Sequence, residues 1–388
     1  MTQASLQALP LILLALAAAT IVSFLLTPLA IRFAPRMGAI DHPGDDRRVH
    51  QRPIPRTGGI AVAVAFVGVG GVGLLVNEVF QFVPSLRAVR MPQIVALFSG
   101  VALGAAIGYL DDRYQLRARW QMLGQLALAA IALLAGVVID NMANPLGGPV
   151  IRFDGAAALA VTTVWIVGMI NSVNFVDGLD GLLAGIALIG AVTLGIISLV
   201  AQPIQPVVAV LCALLAGSLL GFLPYNFNPA RVFIGTAGVF AVGYALAVLS
   251  VLGTAKVLVA LLVLGVPIID TFWIIIRRVS ERRSPFSADR GHFHHRLLDL
   301  GLSHRRVVLL IYALCILLAV LALGLSGRGQ ISAFVIIVLV SGVALFLLTR
   351  RAGAALEQHS YSEDEEGETL AEVRDAGQEL TGGGTGES

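Results

Sequence analysis

The sequence has few charged residues and almost no cysteine. Charged residues make up 13% of the 388 positions and hydrophobic residues 57%, whereas soluble domains carry about 25% charged and about 45–50% apolar residues. This composition excludes a water-soluble globular enzyme, a disordered protein and a nucleic-acid binder. The two cysteines, Cys212 and Cys315, lie inside apolar runs without CxxC or ligand spacing. We therefore predict buried structural cysteines and no redox chemistry.

Long apolar runs dominate the chain. A membrane-spanning helix needs about 20 mostly apolar residues, and eleven runs approach that length, near 9–31, 58–76, 93–110, 121–139, 156–172, 182–200, 206–224, 237–252, 255–276, 307–326 and 330–349. Backbone groups in hydrocarbon must bond to one another, and continuous apolar runs exclude barrel strands, which alternate. The sequence predicts an all-α, polytopic membrane helix bundle of about 11 transmembrane helices. The first run is predicted to be a retained span, because Met1 to Pro10 contains no Lys or Arg.

Basic residues concentrate in alternate connections. Twenty-one of the 26 Lys and Arg residues lie in segments 31–57, 111–121, 225–236, 277–306 and the tail from Arg350. Cytoplasmic loops carry such an excess, so we predict an outside N-terminus and a cytoplasmic C-terminus. Residues 351–388 contain ten acidic residues together with many Gly and Ser. This composition predicts an acidic, disordered cytoplasmic tail after a membrane domain of residues 1–350.

A carboxylate pair follows one of the apolar runs. Asp111 and Asp112 come directly after the run that ends in Gly-Tyr-Leu, and polar groups at span ends indicate function by default. Two adjacent carboxylates repel one another unless a cation or protons compensate. The pair therefore suits a divalent metal or a general base, with a solvated loop pair as the open alternative.

A second polar cluster, NSVNFVDGLDG, covers residues 171–181. Asn171, Asn174, Asp177 and Asp180 recur at every third position, which on a helix forms a slowly turning stripe that can face one cavity. Side chains that offer only oxygen ligands prefer hard cations such as Mg²⁺. We predict a metal site here, and the alternative is a polar loop between spans.

Two further segments carry basic donors. Arg56 lies in PRTGG, where arginine and glycine amides suit phosphate oxygens; the positive-inside bias is the alternative. His292, His294, His295 and Arg296 form a dense cluster in SPFSADRGHFHHRLLDLGL. Histidines this close suit either a transition metal or, interleaved with arginines, diphosphate oxygens, and a solvated basic loop is also open.

A fifth segment, PYNFNPARVFIGTAG, places Asn226 at the end of a span. Together, the five segments predict carboxylates, amides, arginines and histidines that face one cytoplasmic groove. Such a groove suits metal-assisted phosphoryl transfer between a soluble nucleotide and a lipid phosphate.

These motifs resemble the polyprenyl-phosphate N-acetylhexosamine-1-phosphate transferases, integral membrane enzymes that start bacterial surface-polysaccharide synthesis. The resemblance is carried by DHPGDDRRVHQRPIPRTGG, GYLDD, NSVNFVDGLDG, FNPARVFIG, VPIIDT and SPFSADRGHFHHRLLDLGLSHR, and it spans about residues 10–350. The last motif is closer to the undecaprenyl-phosphate N-acetylglucosamine branch than to the muramoyl-pentapeptide branch.

The resemblance implies an Mg²⁺-dependent reaction, with Mn²⁺ as a substitute, in which polyprenyl phosphate attacks the β-phosphorus of a UDP-N-acetylhexosamine and UMP leaves. A lipid-diphospho-sugar forms at the membrane. The resemblance also implies roles for individual residues. Asp111 and Asp112 organise or deprotonate the lipid phosphate, Asn174 and Asp177 hold Mg²⁺ with Asp180 in support, and the substrate-binding residues are Arg56, Asn226, His292, His294, His295 and Arg296. A homodimer is one open oligomeric state.

The chain departs from the family pattern at three positions. Thr236 stands where members carry a metal-binding aspartate, Val239 where they carry serine, and Gln121 where they carry a basic residue. A hydroxyl is a weaker ligand for Mg²⁺ than a carboxylate. The alternative hypothesis is therefore a degenerate, non-catalytic paralogue that binds lipid phosphate or nucleotide-sugar. A transporter is a third class, but its polar residues belong in mid-span, whereas here they lie at span ends.

Overall fold

Nine helices have defined bounds in the computed structural model, which describes residues 3–41, 53–80, 89–142, 144, 148–253, 260–261, 265, 278, 297–298, 301–325, 329–330, 332–333, 335–336 and 339–340. The helices are α1 (Gln3–Met37), α2 (Gly58–Phe80), α3 (Met91–Tyr114), α4 (Ala118–Leu134), α5 (Ala156–Val176), α6 (Leu182–Val200), α7 (Pro206–Asn226), α8 (Gly235–Leu252) and α9 (His304–Gly324). Two short antiparallel hairpins join them: β1 (Ile40–Asp41) with β2 (Ile54–Pro55), and β3 (Asn141–Met142) with β4 (Ile151–Arg152).

The helices confirm a polytopic membrane bundle. Among the described residues, eight helices are long and apolar enough to cross a membrane, and α4, with 17 residues, is apolar but shorter. Nine of the eleven predicted runs coincide with a helix. The runs near 255–276 and 330–349 lie mostly outside the described residues. The count of about 11 spans and the orientation therefore stay predictions.

The nine helices belong to one compact unit, Met1–Val338. A second unit, Leu339–Ser388, lies almost wholly outside the described residues, and the predicted tail 351–388 lies there entirely. The boundary predicted at residue 350 stays a prediction.

The helices differ in how much of their apolar surface is buried, and this burial does not follow their hydropathy. The most apolar stretch of α8 is 83% buried inside the protein, whereas that of α1 is 17% buried. On α1, Leu13, Leu14, Ile21 and Leu25 are each 53–65% exposed, a pattern that suits contact with lipid rather than water. The core therefore lies around α8, and α1 forms part of the apolar outer surface.

Glycines spaced four residues apart bring α3 close to α8. A Cβ on Gly100 would collide with the ring of Tyr244, and one on Gly108 would collide with the carbonyl oxygen of Thr236. Small residues at such contacts allow two helix backbones to approach closely in a membrane. As a result, the C-terminal end of α3 lies directly against the N-terminal end of α8.

Candidate active site

Nine helix ends meet at one end of the bundle. They are the C-terminal ends of α1, α3, α5 and α7 and the N-terminal ends of α2, α4, α6, α8 and α9. Hydrogen bonds join α3 to α1, α4 and α8, α2 to the segment before α8, and the α5–α6 junction both to the α7–α8 loop and to α9. The predicted site residues within the described ranges all lie on these ends or their connections.

Asp112 closes the N-terminus of α8. The Thr236 N–H donates to its Oδ1 and the Ala237 N–H to its Oδ2, each at 3.0 Å. A helix N-terminus has unpaired N–H groups and the positive end of the helix dipole, so a buried carboxylate is stabilised there. Each oxygen accepts one backbone N–H and keeps a second lone pair. Asp112 therefore supports α8 and can still accept a further donor or contact a cation.

Arg56 lies between two carboxylates. Its Nη2 is 3.3 Å from Asp41 Oδ1 and its Nη1 is 3.9 Å from Asp112 Oδ1. The side chain is 33% exposed, so part of it is accessible from solvent. Its assignment as a substrate-binding residue stays a prediction.

The glycines after Arg56 serve packing. The Gly58 N–H donates to the Phe233 carbonyl (3.0 Å) and the Gly59 N–H to the Ile234 carbonyl (2.8 Å). A Cβ on Gly58 would lie 2.7 Å from that Phe233 oxygen. The interpretation that these glycines present amides to phosphate is therefore wrong, because both amides are used to join the start of α2 to the segment before α8.

Asp111 ties α3 to α4. Its Oδ1 accepts the Leu116 N–H at 3.0 Å and Gln121 Nε2 at 2.8 Å. Gln121 therefore supplies a neutral donor at the position where the resemblance expects a cation. The structure places Asp111 as a brace of the α3–α4 turn, and its catalytic role stays a prediction.

The four polar residues of the second cluster do not form one stripe. Helix α5 ends at Val176, before Asp177 is reached. Asn171 is turned towards α4, where its Nδ2 donates to Gln125 Oε1 at 2.6 Å, whereas Asn174 is exposed. The expectation that all four face one cavity is therefore wrong, because the helix ends too early and Asn171 has a partner elsewhere.

Asp177 combines accessibility with an unfavourable electrostatic environment. It is exposed to solvent at the end of α5, yet many protein atoms lie around it. Removal of water by this surrounding protein raises the pKa of Asp177 to about 7; Arg56 lowers the pKa, and the carboxylates of Asp112 and Asp180 raise it. Solvent access moderates the desolvation, but the two neighbouring carboxylates act in the same direction. A bound cation would stabilise the ionised form of this carboxylate.

Asp180 joins three segments. Its Oδ2 accepts Asn228 Nδ2 and the Ala230 N–H, each at 3.0 Å, and its own N–H donates to His304 Nε2 at 2.9 Å. The carboxylate is half-buried. Asp180 therefore links the α5–α6 junction to the α7–α8 loop and to α9.

Asn226 is a buried member of the scaffold. Its Nδ2 donates to the Val232 carbonyl at 3.0 Å across the α7–α8 loop. Its predicted contact with substrate stays a prediction. The remaining predicted substrate-binding residues lie outside the described residues: His292, His294, His295 and Arg296.

The acidic side chains at this end of the bundle are of the type that Mg²⁺ prefers, but they do not converge on one point. Within the described ranges, no three His, Cys, Asp or Glu side chains lie close enough together to hold a metal ion. The acids at this end of the bundle nevertheless offer only oxygen ligands, which Mg²⁺ prefers and supplements with water. Burial is the first cause of the raised pKa of Asp177, and the carboxylates of Asp112 and Asp180 add to it. Asp177 is the carboxylate best placed to meet a cation.

Comparison with known proteins places the chain in a family. The profile of glycosyl transferase family 4 matches residues 94–254. The chain is 35% identical over 324 residues to the "Probable undecaprenyl-phosphate N-acetylglucosaminyl 1-phosphate transferase" of Bacillus subtilis (strain 168), covering 81% of this chain and 86% of that protein. The chain belongs to the polyprenyl-phosphate N-acetylhexosamine-1-phosphate transferase family.

Two more relatives agree. The chain is 33% identical over 376 residues to the decaprenyl-phosphate N-acetylglucosaminephosphotransferase of Mycobacterium tuberculosis (strain ATCC 25618 / H37Rv), covering 88% of this chain and 89% of that protein. It is 31% identical over 287 residues to the undecaprenyl-phosphate alpha-N-acetylglucosaminyl 1-phosphate transferase of Haemophilus influenzae, covering 71% and 76% respectively. The family predicted from the motifs is confirmed. The profile match runs from α3 to α8. Of the predicted site residues that the structure describes, it contains all except Arg56.

Sequence reasoning missed the contacts of α9. His304, Arg305 and Tyr312 were not singled out, although all three bond to residues at this end of the bundle. A signal was present, because the SHR tripeptide that contains His304 and Arg305 closes the last motif.

Proposed function

We propose that the chain transfers N-acetylglucosamine-1-phosphate from UDP-N-acetylglucosamine to a polyprenyl phosphate, at the end of the bundle where α3, α5 and α8 meet. The observation that carries this proposal is the accessible carboxylate of Asp177, whose pKa is raised to about 7 among Asp112, Asp180 and Arg56. It lies in a chain whose relatives are named for this transfer. The product begins the synthesis of a cell-wall or surface polysaccharide.

The reaction exchanges one phosphorus–oxygen bond for another. A phosphate oxygen of the lipid attacks the β-phosphorus of the nucleotide-sugar, and the bond from that phosphorus to the UMP oxygen breaks. The transition state spreads negative charge over the phosphoryl oxygens, so catalysis depends on positioning and charge stabilisation. Bound Mg²⁺, or Mn²⁺ in its place, supplies that charge neutralisation.

Four residues of the described part are proposed to serve this chemistry. Asp177 and Asn174 are the proposed Mg²⁺ ligands, since both are exposed at the end of α5. Asp180 supports them by fixing the α5–α6 junction. Arg56 offers its accessible part to a phosphate oxygen while its two Nη atoms face Asp41 and Asp112.

The raised pKa of Asp177 applies to the cation-free site, where its carboxyl exchanges protons near neutral pH. Bound Mg²⁺ displaces that proton, so Asp177 is proposed as a ligand and not as a base. Asp111 and Asp112, predicted to organise or deprotonate the lipid phosphate, are proposed to hold the α3–α4 turn and α8 in register around Asp177.

The active end is proposed to face the cytoplasm. The basic segments 111–121 and 225–236 connect helices at that end, Arg56 precedes α2 there, and Arg305 and Arg306 lie in the first turn of α9; the positive-inside rule assigns such an end to the cytoplasm. UDP-sugars are cytoplasmic nucleotides, so this orientation gives the site its substrate. A reporter fused to the C-terminus and found to be periplasmic would contradict the orientation.

The direct test is UMP release by the purified full chain. We expect UMP and a lipid-diphospho-sugar from UDP-N-acetylglucosamine, undecaprenyl phosphate and Mg²⁺, and no UMP when the lipid phosphate is omitted. UDP-N-acetylgalactosamine in a parallel reaction tests the choice of sugar. Absence of UMP at every Mg²⁺ and Mn²⁺ concentration would refute the proposal and favour a degenerate binding paralogue.

A further inference from the structure

The first turns of α9 hold the α5–α6 junction. His304 Nε2 accepts the Asp180 N–H at 2.9 Å, and the Tyr312 hydroxyl donates to the Gly181 carbonyl. Both bonds reach the backbone of the junction rather than an exposed side chain. Because Nε2 accepts, the neutral His304 ring carries its hydrogen on Nδ1.

The absence of a side chain at two glycines of the α5–α6 junction leaves room for the Tyr312 ring. A Cβ on Gly185, in the first turn of α6, would collide with the Tyr312 ring. Gly181 has φ +81°, a left-handed conformation that favours glycine, and it forms the N-cap of α6. The tyrosine therefore lies in a recess formed by two glycines, and its hydroxyl ends at one of their carbonyls.

A third hydrogen bond joins α9 to the α7–α8 loop. Arg305 Nε donates to the Asn228 carbonyl at 3.0 Å, while Asn228 Nδ2 donates to Asp180 Oδ2 at 3.0 Å. The N-terminal end of α9 thus fixes the α5–α6 junction and the α7–α8 loop at once. Asp177, the accessible carboxylate, lies three residues before Asp180.

We propose that His304 and Tyr312 are positioning residues for the transferase reaction, an inference that rests on the proposed function. They lock α9 to the Asp180–Gly181 backbone and so fix the position of Asp177, three residues before Asp180. Neither side chain touches substrate in this scheme. Their loss loosens the junction that carries Asp177 and leaves the binding surfaces in place.

The two side chains allow graded substitutions. His304→Leu leaves the Asp180 N–H without an acceptor, whereas His304→Gln offers an amide oxygen at similar reach. We expect kcat to fall about thirtyfold in His304→Leu and to stay within about threefold of wild type in His304→Gln. Tyr312→Phe removes only a hydroxyl, and we expect kcat to fall about fivefold.

Tyr244→Phe is the matched control. The Tyr244 hydroxyl also donates to a backbone carbonyl between two helices, that of Ala96 at 3.0 Å, but it does so between α3 and α8, away from the α5–α6 junction. We expect this variant to lose thermal stability as Tyr312→Phe does while its kcat stays at the wild-type value. KM for undecaprenyl phosphate should stay within about twofold in all four variants, since binding surfaces are kept.

Hydrogen–deuterium exchange of residues 178–186 gives a readout that needs no turnover. Faster exchange of this peptide in His304→Leu and Tyr312→Phe, with lowered kcat and recovery in His304→Gln, would support the proposal. Unchanged exchange, unchanged kcat in an active protein, or an equal loss of kcat in Tyr244→Phe would overturn it. Failure of the wild-type protein to release UMP would instead refute the proposed function.

Discussion

Two acidic junctions at the same end of the bundle differ in the partners that their carboxylates have. At the α3–α8 junction, Asp112 is buried and both its oxygens accept backbone N–H groups at the start of α8. At the α5–α6 junction, Asp177 is accessible, and its pKa is raised to about 7. Both carboxylates are crowded by protein, but the first has backbone N–H partners for its two oxygens, whereas the second faces the carboxylates of Asp112 and Asp180.

The difference shows how one residue type serves structure and chemistry in a single site. Backbone N–H groups at a helix N-terminus offset part of the cost of burying a carboxylate without a metal. A carboxylate that is surrounded by protein and faces other acids is stabilised when it binds a proton or a cation. Substitutions at one junction that leave the other unchanged test whether Asp112 serves structure and Asp177 serves chemistry.

Asp177→Asn is expected to have the largest effect on turnover. The amide cannot neutralise a cation, so we expect UMP release to fall by about a hundredfold or more. The metal-free protein should not lose stability. Asp154→Asn, which changes an exposed aspartate before the far end of α5, is the control for turnover. Turnover of Asp177→Asn within threefold of wild type would contradict the proposed role.

Asp112→Asn is expected to have the largest effect on stability. An asparagine presents one acceptor and one donor, so one N–H at the start of α8 loses its partner and the attraction to the helix dipole is lost. We expect the free energy of unfolding to fall by about 2–4 kcal/mol without metal. Asp111→Asn is the control, since its Oδ1 can still accept the Leu116 and Gln121 donors. Thermal unfolding in metal-free detergent measures both, and equal losses would contradict the division.

Thr236→Asp is expected to tighten cation binding by about tenfold, because it adds a carboxylate next to Asp112, where the family resemblance expects an aspartate. Thr236 already donates its N–H to Asp112, so the added charge also lies at the α8 N-terminus. The Mg²⁺ concentration for half-maximal UMP release should fall, and the metal-free protein should be less stable because two acids then adjoin. Thr236→Asn is the neutral control, and an equal response of both variants would argue against charge as the cause.

The pH dependence of Mg²⁺ binding is expected to give the smallest effect. The pKa of Asp177 is raised from 3.8 to about 7, so folding favours its protonated form. The stability this contributes is present below about pH 4 and is lost as pH rises through about 7. Protons and Mg²⁺ compete for the carboxylate, so apparent affinity should weaken about threefold from pH 7.5 to 6.5.

Mg²⁺ titrations of the unfolding temperature at the two pH values measure this competition. Asp177→Asn should remove the difference between them. A pH dependence that persists in this variant would assign the proton to another group.

The motifs predicted the family and the end of the bundle where the site lies, because those features depend on residue types and their order. They did not predict how each polar group is used. Asp112 and Asp177 are both acids after apolar runs, and nothing in their local sequence shows that one accepts two amides from a helix 124 and 125 residues further along the chain. The contact of Asp180 with His304 spans 124 residues and was likewise invisible.

Glycines illustrate the same limit. Gly58 and Gly59 suggested a phosphate cradle, since glycine amides often serve that purpose. Their amides instead donate to Phe233 and Ile234, because two backbones come too close for side chains. Local sequence shows that glycine is present, but whether a ligand or a neighbouring helix approaches it depends on the fold.

By itself, the sequence determined that the chain is a helical membrane protein, which family it belongs to, and which oxygen and nitrogen donors it brings to one end of the bundle. Hydropathy and motif spacing carry that information because they act over a few turns of helix. Only the tertiary structure decided which donors are used by the protein itself. The pairing of Asp112 with α8, the burial of Asn226 and the exposure of Asp177 arise from contacts between distant segments, and such contacts set both hydrogen bonding and desolvation.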